Sequence, residues 1–65
     1  MYVCRVSGGV CEVWRTPGSH YLGSYGHANA VDADIQGDEL VIVYGDGRIY
    51  VYDIESRAHI STLAS

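Results

Sequence analysis

Apolar and polar positions alternate along the chain in short runs, which glycine, proline and serine separate. A period of two over so few residues is typical of β-strands, because neighbouring side chains of a strand point to opposite faces. No stretch keeps the 3.6-residue period of an amphipathic helix. The pattern predicts an all-β fold, an antiparallel meander of about seven strands at 2–6, 10–14, 20–25, 31–35, 40–44, 48–52 and 58–63.

The stretch ELVIVYGDGRIYVYD, residues 39–53, predicts a tight hairpin. Asp46-Gly47 lies between two runs of β-branched and aromatic residues, and an Asp-Gly pair favours a two-residue type I′ turn. That turn places Val43 opposite Tyr50. One face then carries Leu40, Ile42, Tyr44, Ile49 and Val51, and the other carries Val41, Val43, Tyr50 and Tyr52. A hairpin that is apolar on both faces needs cover on both, which stacked sheets or an oligomer interface supply.

An internal repeat relates the two halves of the chain. An offset of 38 residues places YVCRVSGGVCEVW (2–14) on LVIVYGDGRIYVY (40–52) without a gap, and turns and strands coincide. A period near 40 with three or four strands per unit is typical of β-propeller blades. We therefore expect residues 1–65 to form a single small all-β domain, with a three-stranded first unit (1–26) and a four-stranded second unit (27–65).

Three motifs of the second unit resemble a blade of the WD-repeat β-propellers: Gly26-His27, the Asp46-Gly47 turn and Tyr52-Asp53. The resemblance covers the second unit well and the first loosely. It implies a structural network formed by His27, Asp46 and Tyr52, the last in the place of the family's tryptophan. The family's Ser or Thr in the second strand has no counterpart within 40–44. A seven-stranded sandwich or barrel is the alternative fold.

The repeat also predicts self-association. Fewer than two blade-like units cannot close a ring, since propellers typically have four to eight blades. Open strand edges and apolar faces are features that isolated proteins avoid. The chain has one tryptophan and six tyrosines, which are favoured at interfaces. We expect a homo-oligomer whose interface includes Trp14, Val41, Val43, Tyr50 and Tyr52.

Composition narrows the classes of partner. The formal charge is −4, with four arginines and no lysine. This balance argues against binding to a nucleic-acid backbone, which requires a basic stripe, and against an anionic membrane surface. The longest apolar run, 40–44, is far shorter than the roughly 20 residues of a membrane-spanning helix. The first residues lack the features of a signal peptide, so we expect a cytoplasmic protein.

The two cysteines, Cys4 and Cys11, flank the Gly8-Gly9 turn. A hairpin there places Cys11 opposite Val6 and Cys4 diagonally across, near the upper limit of disulfide reach. We expect free, reduced, buried thiols rather than a disulfide. A zinc site needs more ligands at recognisable spacing.

The remaining polar residues form no catalytic or ligand-binding motif. His20, His27 and His59 show no ligand spacing, and 32–39 lacks the glycine and further ligands of a calcium loop. No serine lies in a nucleophile elbow. We therefore expect no enzyme activity, no cofactor and no metal.

Two functions remain open. The first is a non-enzymatic module that forms a propeller-like homo-oligomer and binds another protein. The alternative is a small acidic regulator or inhibitor, of the phage or mobile-element type, which masks a basic surface on a partner. The acidity, the lack of lysine and the aspartates of 32–38 motivate this alternative.

Overall fold

The computed structural model describes residues 1–63. They form seven strands: β1 (Tyr2–Ser7), β2 (Val10–Arg15), β3 (His20–Tyr25), β4 (Ala30–Gln36), β5 (Glu39–Tyr44), β6 (Ile49–Asp53) and β7 (His59–Leu63). Sequential strands pair antiparallel in two sheets, a first sheet β1-β2-β3 and a second sheet β4-β5-β6-β7. The predicted all-β antiparallel meander is confirmed.

The first hairpin follows its sequence closely. Gly8 and Gly9 form a two-residue loop, with φ of 59° and 80°. Positive φ at both positions defines a type I′ turn, which glycine adopts without a clash of Cβ. Val6 then lies opposite Cys11, and Cys4 lies opposite Val13. This register is the expected one.

The second hairpin differs from its prediction. Its loop has three residues, Gly45-Asp46-Gly47, closed by hydrogen bonds from Tyr44 N to Arg48 O at 2.8 Å and from Gly47 N to Tyr44 O at 3.0 Å. Gly47 has a φ of 92°, whereas Asp46 is not left-handed. The Asp46 carboxylate accepts a hydrogen bond from Arg48 N at 3.0 Å, which favours this local turn. The type I′ prediction is therefore wrong: a type I turn leads into a glycine bulge.

The longer loop reverses the faces of β6. Ile42 lies opposite Tyr50 and Leu40 opposite Tyr52, one residue away from the predicted pairing. A shift of one residue moves every side chain of a strand to the other face. Tyr50 and Tyr52 therefore share the inner face with Ile42. The predicted grouping of these tyrosines on one face with Val41 and Val43 is wrong.

The core lies between the two sheets, where β1 packs on β4 and β3 approaches the β6–β7 turn. Its buried members are Cys11, Val13, Tyr25, Ala30, Leu40, Ile42, Tyr44 and Ile54. Both cysteines are free thiols, as expected. Cys11 is fully buried, but Cys4 is only half-buried because it lies on the edge strand β1. The prediction that both thiols are buried is wrong for Cys4.

The 38-residue offset also relates strands of the structure. It places β1, β2 and β3 on β5, β6 and β7. The pairing of β2 with β3 shifts between Val13 and Trp14, and that of β6 with β7 shifts between Val51 and Tyr52. These irregularities are also 38 residues apart. Within residues 1–63, the first sheet has no strand at the position that β4 occupies beside β5.

Candidate interaction surfaces

Stacked rings line the inner face of the second sheet. The His27 imidazole lies parallel to the Tyr44 ring, with centroids 4.2 Å apart and 8° between the planes. The His59 imidazole stacks on Tyr50 at 4.8 Å and 12°. Tyr50 joins the two stacks, because its ring meets Tyr44 edge to face at 5.0 Å. With Tyr52, these residues form a continuous ring layer.

Tyr52 lies at the other end of the ring layer. Its ring is 5.3 Å from His59 and meets Tyr25 edge to face at 6.4 Å. Burial raises the pKa of the Tyr52 phenol, and the neighbouring Tyr44 adds to the shift. Tyr50 and Tyr52, both predicted at the interface, are thus half-buried inside the fold.

A shallow depression of about 620 Å³ lies at one end of the sheets. His27 and Asp46 line it together with Asn29 and the Gly8-Gly9 turn. His27 Nδ1 is 3.1 Å from Ala28 O. Asp46 faces Arg48, with Oδ2 3.5 Å from Arg48 Nε.

The structure brings together two of the three predicted network residues. His27 and Asp46 share the depression, whereas Tyr52 does not line it. Among residues 1–63, no hydrogen bond joins any two of these three side chains. The WD-type network stays a prediction.

An apolar stripe runs along the outer face of the second sheet. The register places five side chains on this face, which we call the outer-face stripe: Val41, Val43, Ile49, Val51 and Leu63. Val51 at its centre is 7% exposed, and Leu63 at its end is 52% exposed. None of the five stripe residues belongs to the core cluster, which lies on the opposite face of the sheet.

Carboxylates flank the outer-face stripe. Asp34 lies opposite Val41, and Asp32 lies opposite Val43, on the same face. At the far end, Glu39 lies opposite Asp53. The stripe is therefore apolar at its centre and acidic along its rim.

Trp14 lies on the outer face of the first sheet. Its ring is 5.4 Å from that of Tyr21, and the Arg5 guanidinium lies 5.6 Å above it. The Tyr21 hydroxyl donates to Glu12 at 2.9 Å, and this hydrogen bond raises the pKa of the phenol. This face combines aromatic surface with one arginine.

The β6–β7 turn ties the two sheets together. Arg57 donates to the carbonyls of Leu22 and Ser24 and lies 4.1 Å above the Tyr25 ring. The Tyr25 hydroxyl donates to Ile54 O at 2.8 Å. Sequence reasoning missed these contacts, because a lone arginine in a turn carries no signal of its partner.

Glu55 makes a second bridge from the same turn. It accepts hydrogen bonds from the Tyr2 hydroxyl and from Arg15, the latter at 3.2 Å. The bond from Tyr2 lowers the pKa of the Glu55 carboxyl and raises that of the Tyr2 phenol. This bridge fixes the end of the first hairpin against the second sheet.

The side chains of residues 1–63 include no group of three or more His, Cys, Asp or Glu that could hold a metal ion. Over the same span there is no helix with the length and apolarity to cross a membrane. Comparisons with protein-family models, curated proteins and solved structures give no match. The surfaces themselves therefore carry the functional argument.

Proposed function

We propose that the chain is a non-enzymatic assembly module that forms a homo-oligomer and offers its loops to a partner protein. The outer-face stripe carries this proposal. It is a row of β-branched and leucine side chains on a sheet whose other face already packs in the core. Contiguous apolar surface rimmed by polar groups is the usual mark of a protein interface.

The energetics favour burial of this face. Removing apolar surface from water stabilises a contact by about 25 cal/mol per Å². The acidic rim limits the choice of partner, because like charges across an interface repel. A facing surface without carboxylates at matching positions suits the stripe best.

The Trp14 face of a neighbouring copy suits the stripe, because its carboxylate Glu12 is already paired with Arg5 and with the Tyr21 hydroxyl. It offers the Trp14 and Tyr21 rings, and aromatic side chains often anchor interfaces. Packing the stripe of one copy on the Trp14 face of the next makes a head-to-tail contact, which closes into a ring when the rotation allows. A ring of this kind is the propeller-like form of the proposed assembly.

Light scattering coupled to size exclusion tests the proposal. The expected mass is a multiple of 7.1 kDa at micromolar concentration. Val43→Glu places a charge in the stripe and is expected to dissociate the oligomer. Ile60→Glu is the matched control, because Ile60 is 49% exposed at the bulge of β7 and belongs neither to the stripe nor to the Trp14 face. A stable 7.1 kDa species for the parent protein contradicts the proposal.

The acidic rim favours a second candidate, a regulator that masks a basic surface. Glu39 stands directly opposite Asp53, and like charges in this position destabilise a sheet. A basic partner would relieve that repulsion. Binding to an immobilised basic protein is then expected to fall steeply with salt and to weaken in Glu39→Gln. Binding that ignores salt, or that Glu39→Gln leaves unchanged, contradicts this candidate.

A further inference from the structure

β1 of the first sheet and β4 of the second are two of the four edge strands among the described residues. β1 pairs only with β2, and β4 pairs only with β5. The edges lie on the same side of the molecule, because β1 packs on β4 while β3 and the β6–β7 turn meet at the far side. The strands run in opposite directions, since Ala30 at the start of β4 donates to Gly9 just beyond the end of β1.

The free edge of β1 is open. In an antiparallel ladder, alternate residues direct their N–H and C=O groups to the partner strand. The two-residue turn makes Ser7 a bonded partner of Val10, so Arg5 and Val3 also point to β2. Tyr2, Cys4 and Val6 therefore direct their backbone groups away from β2, and their side chains are half-buried.

At the free edge of β4, aspartate side chains already accept hydrogen bonds from the backbone N–H groups. By the same alternation, Ala33 and Ile35 direct their backbone N–H groups away from β5. Each of these N–H groups donates to the carboxylate of the preceding aspartate, from Ala33 to Asp32 and from Ile35 to Asp34, both at 2.9 Å. Side chains that occupy edge groups prevent indiscriminate strand pairing. A partner strand that offers these carboxylates a cation can take their place on the N–H groups.

The β1 edge of a second copy offers that cation. Arg5 lies on the outer face of β1 with a side chain that is 67% exposed, and its ion pair with Glu12 is long, at 3.8 Å. Asp32 and Asp34 lie on the outer face of β4. We propose that two copies pair edge to edge, with β1 of each copy bound antiparallel to β4 of the other.

The proposed contact has closed two-fold symmetry, so it forms a dimer and does not continue to further copies. A two-fold axis parallel to the strands places β1 of one copy beside β4 of the second, and β4 beside β1 at the same time. The opposite directions of β1 and β4 make both new pairs antiparallel. The result is isologous, the commonest kind of assembly. It joins the two copies into two continuous seven-stranded layers.

Side-chain chemistry agrees with this arrangement. If core-facing residues lie opposite one another across the contact, Cys4 lies opposite either Ala33 or Ile35 of the second copy. In either register, Arg5 stands directly opposite one aspartate and diagonal to the other, within reach of both. A two-fold axis perpendicular to the strands would instead pair β4 with β4. The aspartates Asp32 and Asp34 of the two copies would then face one another, and like charges in this position are destabilising. Charge therefore selects the β1–β4 contact.

The proposal shares with the proposed function the expectation of self-association, and Arg5, Asp32 and Asp34 border the faces that the proposed function uses. It differs because the contact forms between strand edges rather than on the outer-face stripe. Amide hydrogen exchange of the full chain tests it residue by residue. The amides of Cys4 and Val6 are expected to gain protection as concentration rises. Their fast exchange at concentrations where the protein is oligomeric would overturn the edge contact and leave the stripe intact.

Charge reversal provides the second test. Arg5→Asp is expected to raise the dimer dissociation constant roughly tenfold or more. Adding Asp32→Arg and Asp34→Arg to that variant is expected to restore pairing. Arg48→Asp is the matched control, since Arg48 is also an exposed arginine, 62% accessible, outside both edges. Circular dichroism establishes that each variant is folded.

The outcomes separate the two contacts. Loss of pairing in Arg5→Asp with rescue by the swapped charges supports the edge contact, and failure of the rescue overturns it. If Val43→Glu reduces a larger oligomer to a dimer in which Cys4 and Val6 keep their protection, the stripe and the edge are separate contacts. A parent protein that stays at 7.1 kDa with fast edge exchange overturns both.

Discussion

The three strands β1–β3 and the three strands β5–β7 are two versions of one unit, and they differ in how well their cores are closed. Leu40 and Ile42 of β5 are fully buried. Tyr2 and Cys4, the residues 38 positions earlier, are half-buried. The difference follows from β4, which covers the edge of β5 and has no counterpart beside β1 in the part of the chain that the structure describes. Burial in this fold therefore depends on the neighbouring strand more than on the residue.

The units also differ in which residues of the second strand face inward. Cys11 and Val13 of β2 lie in the core. Tyr50 and Tyr52 of β6 face inward instead, one position away from the equivalent residues Ile49 and Val51. One extra residue in the hairpin loop causes the change. It gives the second sheet its ring layer and places valines on its outer face.

The largest predicted effect concerns core closure. Ile42→Ala removes a fully buried side chain beside Tyr44 and is expected to cost about 2–5 kcal/mol of unfolding free energy. That is a large share of the roughly 3–10 kcal/mol expected for a domain of this size. Cys4→Ala, the equivalent change in the first sheet, is expected to cost about 1 kcal/mol or less. Urea unfolding measures both, and equal costs would contradict the comparison.

The junction between the two sheets gives the next largest effect. Gly26 has a φ of 74°, and a Cβ there would overlap the Tyr44 hydroxyl, which accepts a hydrogen bond from His27 N. Gly26→Ala is expected to cost about 2–4 kcal/mol, from backbone strain and displacement of a buried ring.

Gly37→Ala is the control for Gly26. Its φ is 65°, and no atom lies within 4 Å of the added Cβ. Backbone strain alone is then expected to cost about 1–2 kcal/mol. Thermal or urea unfolding that shows the same loss for both variants would remove the role assigned to the Tyr44 contact.

Much of the fold could be predicted from the sequence, because short-range chemistry decides it. Period-two patterning located all seven strands within one or two residues. The Gly8-Gly9 turn was predicted correctly, since two glycines accept positive φ at both positions. The Asp46-Gly47 turn was not, because the neighbouring Gly45 and the Asp46 side chain favour a three-residue loop.

The candidate surfaces could be predicted less well. Trp14, Val41 and Val43 were predicted at the interface, which stays a prediction, and all three are partly exposed on outer faces. Tyr50 and Tyr52 were assigned to the same face, and the register places them inside. The bridges from Glu55 and Arg57 depend on distant partners that no local pattern encodes. Which strand edges remain open also depends on the complete pairing.

The two cysteines are expected to differ in reactivity, because Cys11 is buried in the core whereas Cys4 lies half-buried on the edge strand β1. Burial raises the pKa of the Cys11 thiol to about 12, and the nearby Cys4 and Glu12 add to the shift. Burial also raises the pKa of Cys4, with Asp34 and Asp32 contributing. Because the thiolate is the reactive form, we expect slow labelling at Cys4 and none at Cys11 in the native protein. Both label after denaturation, and fast native labelling of Cys11 would contradict the buried site.

The same shift predicts a dependence of stability on pH. The unfolded protein loses the Cys11 proton near the ordinary value of 9, whereas the folded protein holds it to about 12. The stabilisation is therefore complete below pH 9 and is lost as the pH rises towards 12. Cys11→Ala is expected to flatten this decline relative to the parent, whereas Cys4→Ala flattens it less. Urea midpoints between pH 7 and 10.5 measure the slopes, and parallel slopes for parent and Cys11→Ala would exclude the linkage.

The smallest predicted effect comes from the loop that distinguishes the second hairpin from the first, Gly45-Asp46-Gly47. Deleting Gly45 leaves Asp46-Gly47 as a two-residue loop between Tyr44 and Arg48, a sequence suited to a type I′ turn. The existing cross-strand pairs, such as Ile42 with Tyr50, keep their register. The deletion removes the hydrogen bond from Gly45 N to Asn29 O, so we expect a cost of about 1 kcal/mol.

Deleting Gly9 is the matched control in the first hairpin. A single residue between Ser7 and Val10 cannot form a hairpin turn, so the strands must slip or open a longer loop. A slip of one residue turns Cys11 and Val13 out of the core. We expect this variant to lose most of its cooperative unfolding transition, whereas the Gly45 deletion keeps it. Comparable losses in the two deletions would show that the three-residue loop itself, rather than the strand register it permits, stabilises the second unit.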